Sequence, residues 1–541
     1  MLFNSALYGV FLLAVYAAFW ALRTHRIPRA VMLTLASYFF YFYGTWDTAK
    51  EQDVPLGPLG WSVLCLGVIF VGSTIDFAVG KKLGETEDPR MRKALLLVSV
   101  VYYLGVLSIF KYFNFAVDSV SQVLALAHVK VPPVHLKIVL PFGISFFTFE
   151  TMSYTIDVYR KELKPAQKYL DYLLFVCFFP HLVAGPIVRP ASMLPQLAEV
   201  PAVGPEMDAK KAHGLSLIAT GLMKKMVIGD TLAVNLVGRV FDNPERYSSL
   251  EVLFAIYGYA IQIYADFSGY TDVARGSAML FGYDLPENFM APYTADTIQD
   301  FWRRWHMSLS SWLRDYLYIP LGGNRGGTLA TYRNLLLTMV LGGLWHGASW
   351  NFVLWGALHG GALGVERATA ERKLARLLAF PAVAVILLYV LVLVKVMSPG
   401  TYWFVLATTI GTAALGIALA SLRKAEGAGR WFAKPVAVVL CFHFVCFCWI
   451  FFRAPTFDHG KLMLLRLGKL TFDSPNLSAR VVLVLVLGAV LHFVPPKLEE
   501  RARELFGRVP APLQGVLLAA CAYVLHFAAS AKAEPFVYGQ F

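Results

Sequence analysis

Charged residues are scarce in this chain, and that scarcity excludes most soluble folds. Of its 541 residues, 15% are charged and 57% are hydrophobic, whereas an ordinary soluble domain has roughly 25% charged residues. The mean hydropathy is +0.57. Because apolar runs of membrane-spanning length recur along the whole chain, the composition predicts an all-α polytopic membrane protein.

The chain also lacks the usual signatures of disulfide, zinc and soluble hydrolase chemistry. Its six cysteines lie mostly in apolar runs and include no CxxC pair, so neither a disulfide framework nor a metal site is expected. HExxH, Walker-type and GxSxG motifs are absent, which excludes the commonest soluble hydrolases and nucleotidases. No long hydrophilic insertion occurs either, so residues 1–541 are predicted to form one membrane domain.

The positive charge points to the membrane surface rather than to nucleic acid. The net charge is +13, but the basic residues fall in short clusters between apolar spans. Cytoplasmic loops of membrane proteins have this pattern, and such loops also contact anionic lipid headgroups. No nucleic-acid partner is expected.

The same clusters predict a topology. The first span, about 2–22, has no positive charge before it and the basic segment 23–29 after it, which predicts an uncleaved helix that begins outside the cytoplasm. Basic loops 81–93 and 160–168 suit the cytoplasm, whereas 47–60 and 116–137 suit the outside. Further spans are predicted near 94–115, 138–158, 169–188, 213–236, 252–282, 334–363, 377–397, 402–421, 435–452, 479–494 and 513–530. The total is about 11 to 13 spans or half-spans.

Polar residues interrupt the apolar pattern at four places, the first being segment 141–160. Pro141 and Gly143 predict an irregular entry, and Glu150 lies in the middle. Irregular backbone at membrane depth is tolerated where protein or a water-filled cavity covers it. Glu150 is therefore either a carboxylate neutralised by a helix neighbour or a group that lines a cavity.

The second place is segment 264–276. On a helix, Gln262, Asp266 and Tyr270 share one face, and Asp272 reaches Arg275 to form a structural pair. Asp266 needs a partner that faces the bundle. It is either a structural anchor or a cavity-lining group.

The third place, segment 300–324, is too polar to span a bilayer and predicts one amphipathic interfacial helix that ends near Pro320. Its apolar stripe comprises Trp305, Leu309, Trp312 and Tyr316, and its polar face comprises Arg303, Arg304, Ser310, Ser311 and Arg314. The arginines and tryptophans either anchor the helix at the interface or bind phosphates and stack a base.

The fourth place is the apolar run 341–356, which contains His346. An ionisable side chain there is expensive to bury and is by default a functional hypothesis. His359 follows 13 positions later, about 220° away on a continuous helix, so it is a poor partner for His346. A second histidine, His306, lies in the polar segment upstream, and spacing alone does not show whether the two meet.

Three of these segments together resemble the membrane-bound O-acyltransferase family. They are YADFSGY (264–270), FWRRWHMSLSSWLRDYLYIPLGGN (301–324) and GGLWHGASWNFVLWG (342–356). The opening MLFNS and the closing EPFVYGQF resemble the family's bacterial alginate O-acetylation branch. Gly539 departs from the aromatic residue expected there, which weakens any inference about docking through the C-terminus.

The resemblance implies a bundle of helices around a central tunnel, with core motifs at about 138–363 and further helices at about 377–541. It implies a bacterial inner-membrane protein with a periplasmic N-terminus. It further implies that acetyl groups pass from cytoplasmic acetyl-coenzyme A to a periplasmic serine-hydrolase-like (SGNH) partner, which acetylates an exported, alginate-like polysaccharide.

The resemblance also implies roles for the histidines: His346 is the essential residue and His306 its usual companion. A histidine kept neutral by burial suits a base that deprotonates an attacking hydroxyl. Our hypothesis is that His346 is this base and that His306 positions the acyl group or polarises the thioester carbonyl. Coenzyme A would be contacted by Arg303, Arg304, Arg314 and Trp305, and the tunnel would be lined by Asp266, Trp345, Asn351 and Glu150.

Two other functions remain open. A transporter or polymer flippase would use the polar groups at 150, 266 and 346 as a path and would move an intact solute. Another member of the same family would acylate a lipid or sterol, or would transfer D-alanine to teichoic acid. A purely structural protein is disfavoured by the cost of so many buried polar groups.

Overall fold

The computed structural model describes residues 3–129, 131–183, 185–370 and 429–528, together with positions 407, 410, 411 and 414. Within these residues the chain is helical and has no strand, as the composition predicts. The spans predicted near 377–397 and 402–421 lie almost entirely outside the described residues. All six cysteines are free thiols, and five are buried.

The N-terminal helices pack side by side. They are α1 (Ala6–Ala21), α2 (Arg26–Lys50), α3 (Gly57–Glu85), α4 (Pro89–Leu107) and α5 (Phe113–Leu126). A π-helical turn, Ser108–Tyr112, joins α4 to α5. Helix α4 begins where the Asp88 carboxylate accepts hydrogen bonds from the backbone N–H groups of Arg90 and Met91, a standard N-cap that satisfies two otherwise unpaired donors.

The central helices contain the polar segments. They are α6 (Ile144–Arg160), α7 (Tyr169–Cys177), α8 (Phe179–Leu182), α9 (Pro190–Ala198), α10 (Pro205–Leu222), α11 (Asp230–Leu232), α12 (Gly238–Asp242) and α13 (Ser249–Leu280). Helix α6 is buried along almost its whole length and contacts α3, α4 and α7. It therefore lies in the interior of the bundle rather than against lipid.

The C-terminal half completes the bundle. Its helices are α14 (Ile298–Arg304), α15 (Met307–Leu313), α16 (Gly327–His346), α17 (Trp350–Ala370), α18 (Gly429–Arg453), α19 (Phe457–Leu467), α20 (Ala479–His492), α21 (Pro496–Arg508) and α22 (Ala511–Ala528). The Glu366 carboxylate on α17 accepts hydrogen bonds from the N–H groups of Ile298 and Gln299. A carboxylate at this end is also favoured by the dipole of α14.

Among the described residues, three helices are long and apolar enough to cross a membrane alone: Gly57–Glu85, Pro89–Ala125 and Ala433–Arg453. The bent pair formed by Ala479–His492 and Lys497–Arg508 makes a fourth if it is one span. The remaining helices are shorter, broken or more polar, as half-spans are. The span count of about 11 to 13 stays a prediction.

Helices α10 and α13 touch through glycines. A Cβ atom on Gly221 would lie 2.5 Å from the carbonyl oxygen of Gly269, and one on Gly214 would lie 2.7 Å from that of Gly276. Such small residues let two membrane helices bring their backbones together. The pairing places the start of α10 beside the end of α13, so the two helices are antiparallel.

The single amphipathic helix predicted over 300–324 is wrong. The backbone breaks at His306, whose φ of 44° places it in the left-handed region, and α14 ends before it while α15 begins after it. A π-helical turn, Arg314–Tyr318, then continues α15. The amphipathic pattern fits one helix, but it contains no signal for this local break.

The single span predicted over 334–363 is also wrong. Helix α16 ends at His346 and α17 begins at Trp350. The two helices pack antiparallel, since Gly343 lies against Phe352 and Gly356 lies against Met339. His346 is therefore at the turn of a helical hairpin, next to Gly347.

Candidate active site around two histidines

His306 has a backbone conformation that few residues adopt. A non-glycine residue with positive φ is uncommon, and such strain clusters at functional sites. The His306 Nδ1 atom accepts a hydrogen bond of 3.2 Å from the backbone N–H of Leu309, which caps α15. Because Nδ1 accepts, the neutral ring carries its proton on Nε2. His306 therefore presents an N–H donor from Nε2.

The segment around His306 is held by Asn288 and Ser308. The Asn288 side-chain oxygen accepts from the Ser308 hydroxyl at 2.6 Å, and the Asn288 carbonyl accepts from the Met307 N–H at 3.0 Å. The Ser308 hydroxyl oxygen in turn accepts from the Ile187 N–H at 2.9 Å. These bonds from two other segments stabilise the left-handed conformation of His306.

His346 is the last residue of α16, and its side chain is enclosed by aromatic rings. Only 4% of the residue is exposed. Its ring lies edge-on to Trp345 at 5.0 Å, Trp355 at 5.2 Å and Phe452 at 5.2 Å between centroids. The prediction of a histidine buried within an apolar run is confirmed.

The two histidines meet at Trp345. Its ring centroid lies 6.1 Å from that of His306 and 5.0 Å from that of His346, which limits the separation of the two imidazoles to about 11 Å. Spacing in the sequence left open whether these residues meet. The structure brings them together from different helices, with both rings against Trp345.

His359 also lies near His346, because both rings contact Trp355. The centroid distances from Trp355 are 5.2 Å to His346 and 4.8 Å to His359. The His359 Nδ1 atom accepts from the Trp302 indole N–H at 3.2 Å. Because the helix breaks after His346, the prediction from helical phase that His346 and His359 face different ways on one continuous helix does not apply.

Lys111 and Tyr112 also contact the end of α16, and the sequence analysis missed them. The Lys111 ammonium donates to the carbonyl oxygens of Trp345 at 2.6 Å and His346 at 3.0 Å. The Tyr112 hydroxyl donates to the carbonyl of Leu344 at 2.8 Å. A lysine inside an apolar span was the available signal, because such a charge is rare and needs partners.

Glu150 is fully buried and pairs with His181. Its carboxylate oxygen lies 3.1 Å from His181 Nδ1 and accepts from the Val188 N–H at 2.9 Å. The partner comes from the separate helix α8, and this contact supports the interpretation of Glu150 as a carboxylate paired with a neighbour. The adjacent Ile187 N–H bonds Ser308, which connects Glu150 to the segment of His306.

Asp266 belongs to a buried ion-pair cluster. The Lys225 ammonium lies 2.5 Å from the Asp266 carboxylate and 2.9 Å from that of Asp230. This partner supports the structural-anchor interpretation of Asp266. The predicted Asp272–Arg275 pair is wrong: Asp272 pairs with Lys224 and Arg275 with Glu287, at 2.8 and 2.9 Å.

Trp345 and Asn351 hold the hairpin of α16 and α17 in place. The Trp345 indole N–H donates to the carbonyl of Ser145 at 3.3 Å, and the Asn351 amide donates to the carbonyl of Ala454 at 3.0 Å. Trp345 therefore lies at the histidines and also fixes α16 to the start of α6. Asn351 connects α17 to the end of α18.

The residues predicted to bind coenzyme A are in different environments. Arg303 and Arg314 are exposed, whereas Arg304 pairs with Asp300 at 2.8 Å. Trp305 is 1% exposed and stacks on Phe301 at 5.6 Å. This burial gives Trp305 a packing position, and its contact with coenzyme A stays a prediction.

A second arginine cluster lies around Tyr316, at the far end of α6. Arg189 and Arg160 lie over the Tyr316 ring at 4.4 and 5.3 Å. The Asp315 carboxylate accepts from Arg189 at 3.1 Å and from Arg314 at 2.7 Å. These contacts orient three guanidinium groups at one place, although only Arg314 was a predicted candidate.

An aromatic column joins this arginine cluster to the histidines. Trp345 stacks on Phe149 at 5.3 Å, Phe149 on Trp312 at 3.7 Å, and Trp312 contacts Tyr316 at 5.1 Å. Along α6, Phe149 and Arg160 are about 16 Å apart at the helical rise of 1.5 Å per residue. The column therefore runs from the histidine pair to one end of the bundle.

Within the described part of the chain, no group of three or more histidine, cysteine, aspartate or glutamate residues is placed to hold a metal ion. The site that the structure assembles consists of two imidazoles, surrounding aromatic rings and helix-end polar groups. Such a site is suited to proton transfer and to hydrogen bonding of a developing negative charge.

Comparison with known proteins identifies the family. A model of the membrane-bound O-acyltransferase family matches residues 106–372. The chain is 40% identical to the probable alginate O-acetylase AlgI of Pseudomonas aeruginosa, over 70% of this chain and 68% of that protein. It is 34% identical to the peptidoglycan O-acetyltransferase of Helicobacter pylori, over 68% of this chain and 71% of that protein.

A more distant similarity extends the range of transferred groups. The chain is 30% identical to the teichoic acid D-alanyltransferase of Bacillus subtilis, over 40% of this chain and 56% of that protein. All three named relatives transfer an acyl group. The chain thus belongs to the membrane-bound O-acyltransferase family, and it is a multi-pass membrane O-acyltransferase.

Proposed function

We propose that the chain takes an acetyl group from cytoplasmic acetyl-coenzyme A and delivers it across the bacterial inner membrane for O-acetylation of an exported, alginate-like polysaccharide. The observation that carries this proposal is the meeting of His306 and His346 at Trp345. Two relatives named for O-acetylation support acetyl as the transferred group.

The two histidines have different roles in the transfer, and His346 carries the proton. Acyl transfer from a thioester to a hydroxyl forms a C–O bond and breaks a C–S bond. The hydroxyl proton must leave as the oxygen attacks, and the departing sulfur must receive a proton. His346 accepts the hydroxyl proton and then passes it to the sulfur.

His306 has the complementary role. Because its Nδ1 accepts from Leu309, its Nε2–H donates to the carbonyl oxygen of the thioester. That oxygen gains negative charge as the tetrahedral intermediate forms, and a fixed donor stabilises it. The strained backbone of His306 is then part of the preorganisation of the site.

The arginine cluster around Tyr316 supports entry of the donor from the cytoplasm. Arg160 lies in the basic segment 160–168, for which the charge pattern predicts a cytoplasmic position. Guanidinium groups suit the phosphates of coenzyme A because they donate paired hydrogen bonds in a fixed plane. The aromatic column from Tyr316 to Trp345 would then lie along the path of the pantetheine arm.

We propose a periplasmic serine-hydrolase-like (SGNH) protein as the acceptor, with the N-terminus of the chain also on the periplasmic side. The support is the resemblance of the 264–270, 301–324 and 342–356 segments to the alginate branch of the family. Acetyl groups would leave the chain at the membrane face opposite the arginine cluster.

Reconstituted vesicles test the proposal. Acetyl-coenzyme A is supplied to the cytoplasmic face, a periplasmic extract of the source cell supplies the acceptor, and both free coenzyme A and acetylated acceptor are measured. His346→Gln is expected to lower kcat by about 10²–10⁴-fold, the usual contribution of a general base. A folded His346→Gln protein with wild-type kcat would overturn the assignment of the base.

His306 offers a matched pair of variants. Asparagine tolerates positive φ, and its side-chain oxygen can cap α15, so His306→Asn keeps the backbone but removes the Nε2–H donor. It is expected to lower kcat by about 10²–10³-fold, whereas His306→Ala also destabilises the fold. Solute movement without release of coenzyme A would instead indicate a transporter, and transfer of D-alanine from a carrier protein would indicate the other branch of the family.

A further inference from the structure

We propose that Lys111 is a positioning residue for His346: its ammonium caps the end of α16 and fixes the point at which His346 enters the site. This inference rests on the proposed role of His346 as the base. It adds a residue from a separate helix, one that neither the motifs nor their spacing indicated.

The C-terminal end of α16 has backbone carbonyl groups that need hydrogen-bond donors. The last four carbonyl groups of an α-helix have no partner within the helix, and an unpaired carbonyl inside a membrane costs several kcal/mol. At the end of α16, the carbonyls of Leu344, Trp345 and His346 accept from Tyr112 and Lys111. A side-chain cap thus does what water does for a helix end in solution.

The positive charge of Lys111 also suits this position. An ammonium next to the last carbonyls of a helix is favoured by the negative end of the helix dipole. Lys111 lies within the apolar helix Pro89–Ala125, where a lysine is expensive and needs partners. Its contacts with the Trp345 and His346 carbonyls supply them, so the charge that is costly in its own helix is stabilised by α16.

The backbone that carries Lys111 and Tyr112 is not a regular α-helix. Consecutive side chains on an α-helix diverge by about 100°. Lys111 and Tyr112 nevertheless both reach α16, from the π-helical turn Ser108–Tyr112. Such turns are rare and are found frequently at functional sites. Here the turn presents two donors to three consecutive carbonyls.

These bonds fix the backbone position from which the His346 side chain extends. Below His346 the backbone turns sharply: Gly347 is extended, and its N–H makes only a long bond of 3.4 Å to the Gly343 carbonyl. Lys111 bonds the carbonyl of His346 itself. Loss of that bond would let the end of α16 fray and would move the imidazole relative to His306 and Trp345.

The test separates positioning from mere structural support. Lys111→Met keeps the length and removes the ammonium, whereas Lys111→Arg keeps cationic donors. Lys137→Met is the matched control, because Lys137 is exposed and pairs with the exposed Asp53 at the surface. Each protein is reconstituted, and kcat, KM for acetyl-coenzyme A and thermal stability are measured.

Lys111→Met is expected to lower kcat by about 10- to 100-fold, the usual effect of a misplacement of about 1 Å, with KM nearly unchanged. Lys111→Arg should recover much of that loss, and Lys137→Met should match the wild type. If Lys111→Met does not accumulate, Lys111→Gln, whose amide keeps two N–H donors without the charge, is expected to show a smaller loss of kcat. A fall in thermal stability with kcat unchanged in either variant would overturn the proposal.

A double variant shows whether Lys111 acts through His346. When two residues act as one unit, removing the second costs little once the first is gone. Lys111→Met should therefore lower the residual activity of His346→Gln by less than about threefold. A full additional loss would overturn the proposal, whereas wild-type activity of His346→Gln alone would instead overturn the function proposed for the site.

Discussion

The hairpin of α16 and α17 allows a sharp test, because Gly356 has no room for a side chain. A Cβ atom there would collide with the carbonyl oxygen of Met339 and would lie 2.9 Å from both Met339 C and Val340 Cα. All three atoms belong to the backbone of α16, so no side chain can rotate away. Gly356→Ala therefore forces the two helices apart.

The size of the effect follows from those contacts. To reach 3.4 Å, where ordinary van der Waals contact begins, the 2.9 Å contacts must lengthen by about 0.5 Å, and the carbonyl contact by more. Overpacking of this kind costs about 1–3 kcal/mol. Since α16 carries His346, a shift of this order is also expected to lower kcat by about 10- to 100-fold.

Gly361 on the same helix provides the control. A Cβ atom there meets nothing within 4 Å, and alanine is the better helix former by about 1 kcal/mol. Gly361→Ala is therefore expected to keep wild-type kcat and to be equally or more stable. Thermal unfolding in detergent and acetyl transfer in vesicles measure both variants. Wild-type stability and kcat in Gly356→Ala would refute the close antiparallel packing on which this reasoning depends.

Three further predictions concern the charged residues. Lys225→Met removes the cation shared by two buried carboxylates and should destabilise the protein by about 3–5 kcal/mol in denaturant unfolding. Asp266→Asn should cost less, because Lys225 keeps Asp230 as a partner; the opposite order would contradict the structural-anchor role of Asp266. Arg189→Ala should raise KM for acetyl-coenzyme A several-fold, with a smaller effect on kcat. Arg303→Ala is the control and should change KM little. Equal effects of the two variants on KM would argue against binding of coenzyme A at the arginine cluster around Tyr316.

The sequence predicts the helices well because hydrophobic content and length are local properties. The predicted spans at 252–282 and 435–452 correspond to α13 (Ser249–Leu280) and α18 (Gly429–Arg453). The motifs also select His306 and His346, and the rings of both contact Trp345; their catalytic roles stay predictions. Residue identity and order were sufficient for these predictions.

The breaks within the helices were not predictable from local pattern. The segment around His306 reads as one amphipathic helix, yet bonds from Asn288 and Ile187 to this segment stabilise a left-handed residue within it. Similarly, the run through His346 reads as one span, although it folds back at Gly347. In both places the deciding contacts come from residues far away in the sequence.

The partners of the buried charges were not predictable from the sequence, for the same physical reason. A buried charge must find a partner, but the nearest candidate along the helix is only one of several that the fold supplies. Asp272 pairs with Lys224 on a neighbouring segment rather than with Arg275, and Glu150 pairs with His181 from α8. Sequence spacing predicts the need for a partner and leaves its identity to the packing.

Lys111 shows that the requirement of a buried charge for a partner can guide the search for functional residues. An ammonium far from both ends of a helix apolar enough to cross a membrane has the same meaning as His346 in its apolar run: each is costly to bury without a partner. The structure gives Lys111 the carbonyls of Trp345 and His346 as partners. This contact gives the buried lysine its partners and caps the helix that carries His346. Searching apolar spans for isolated charges, and asking which helix end each one could cap, would have found this residue without any motif.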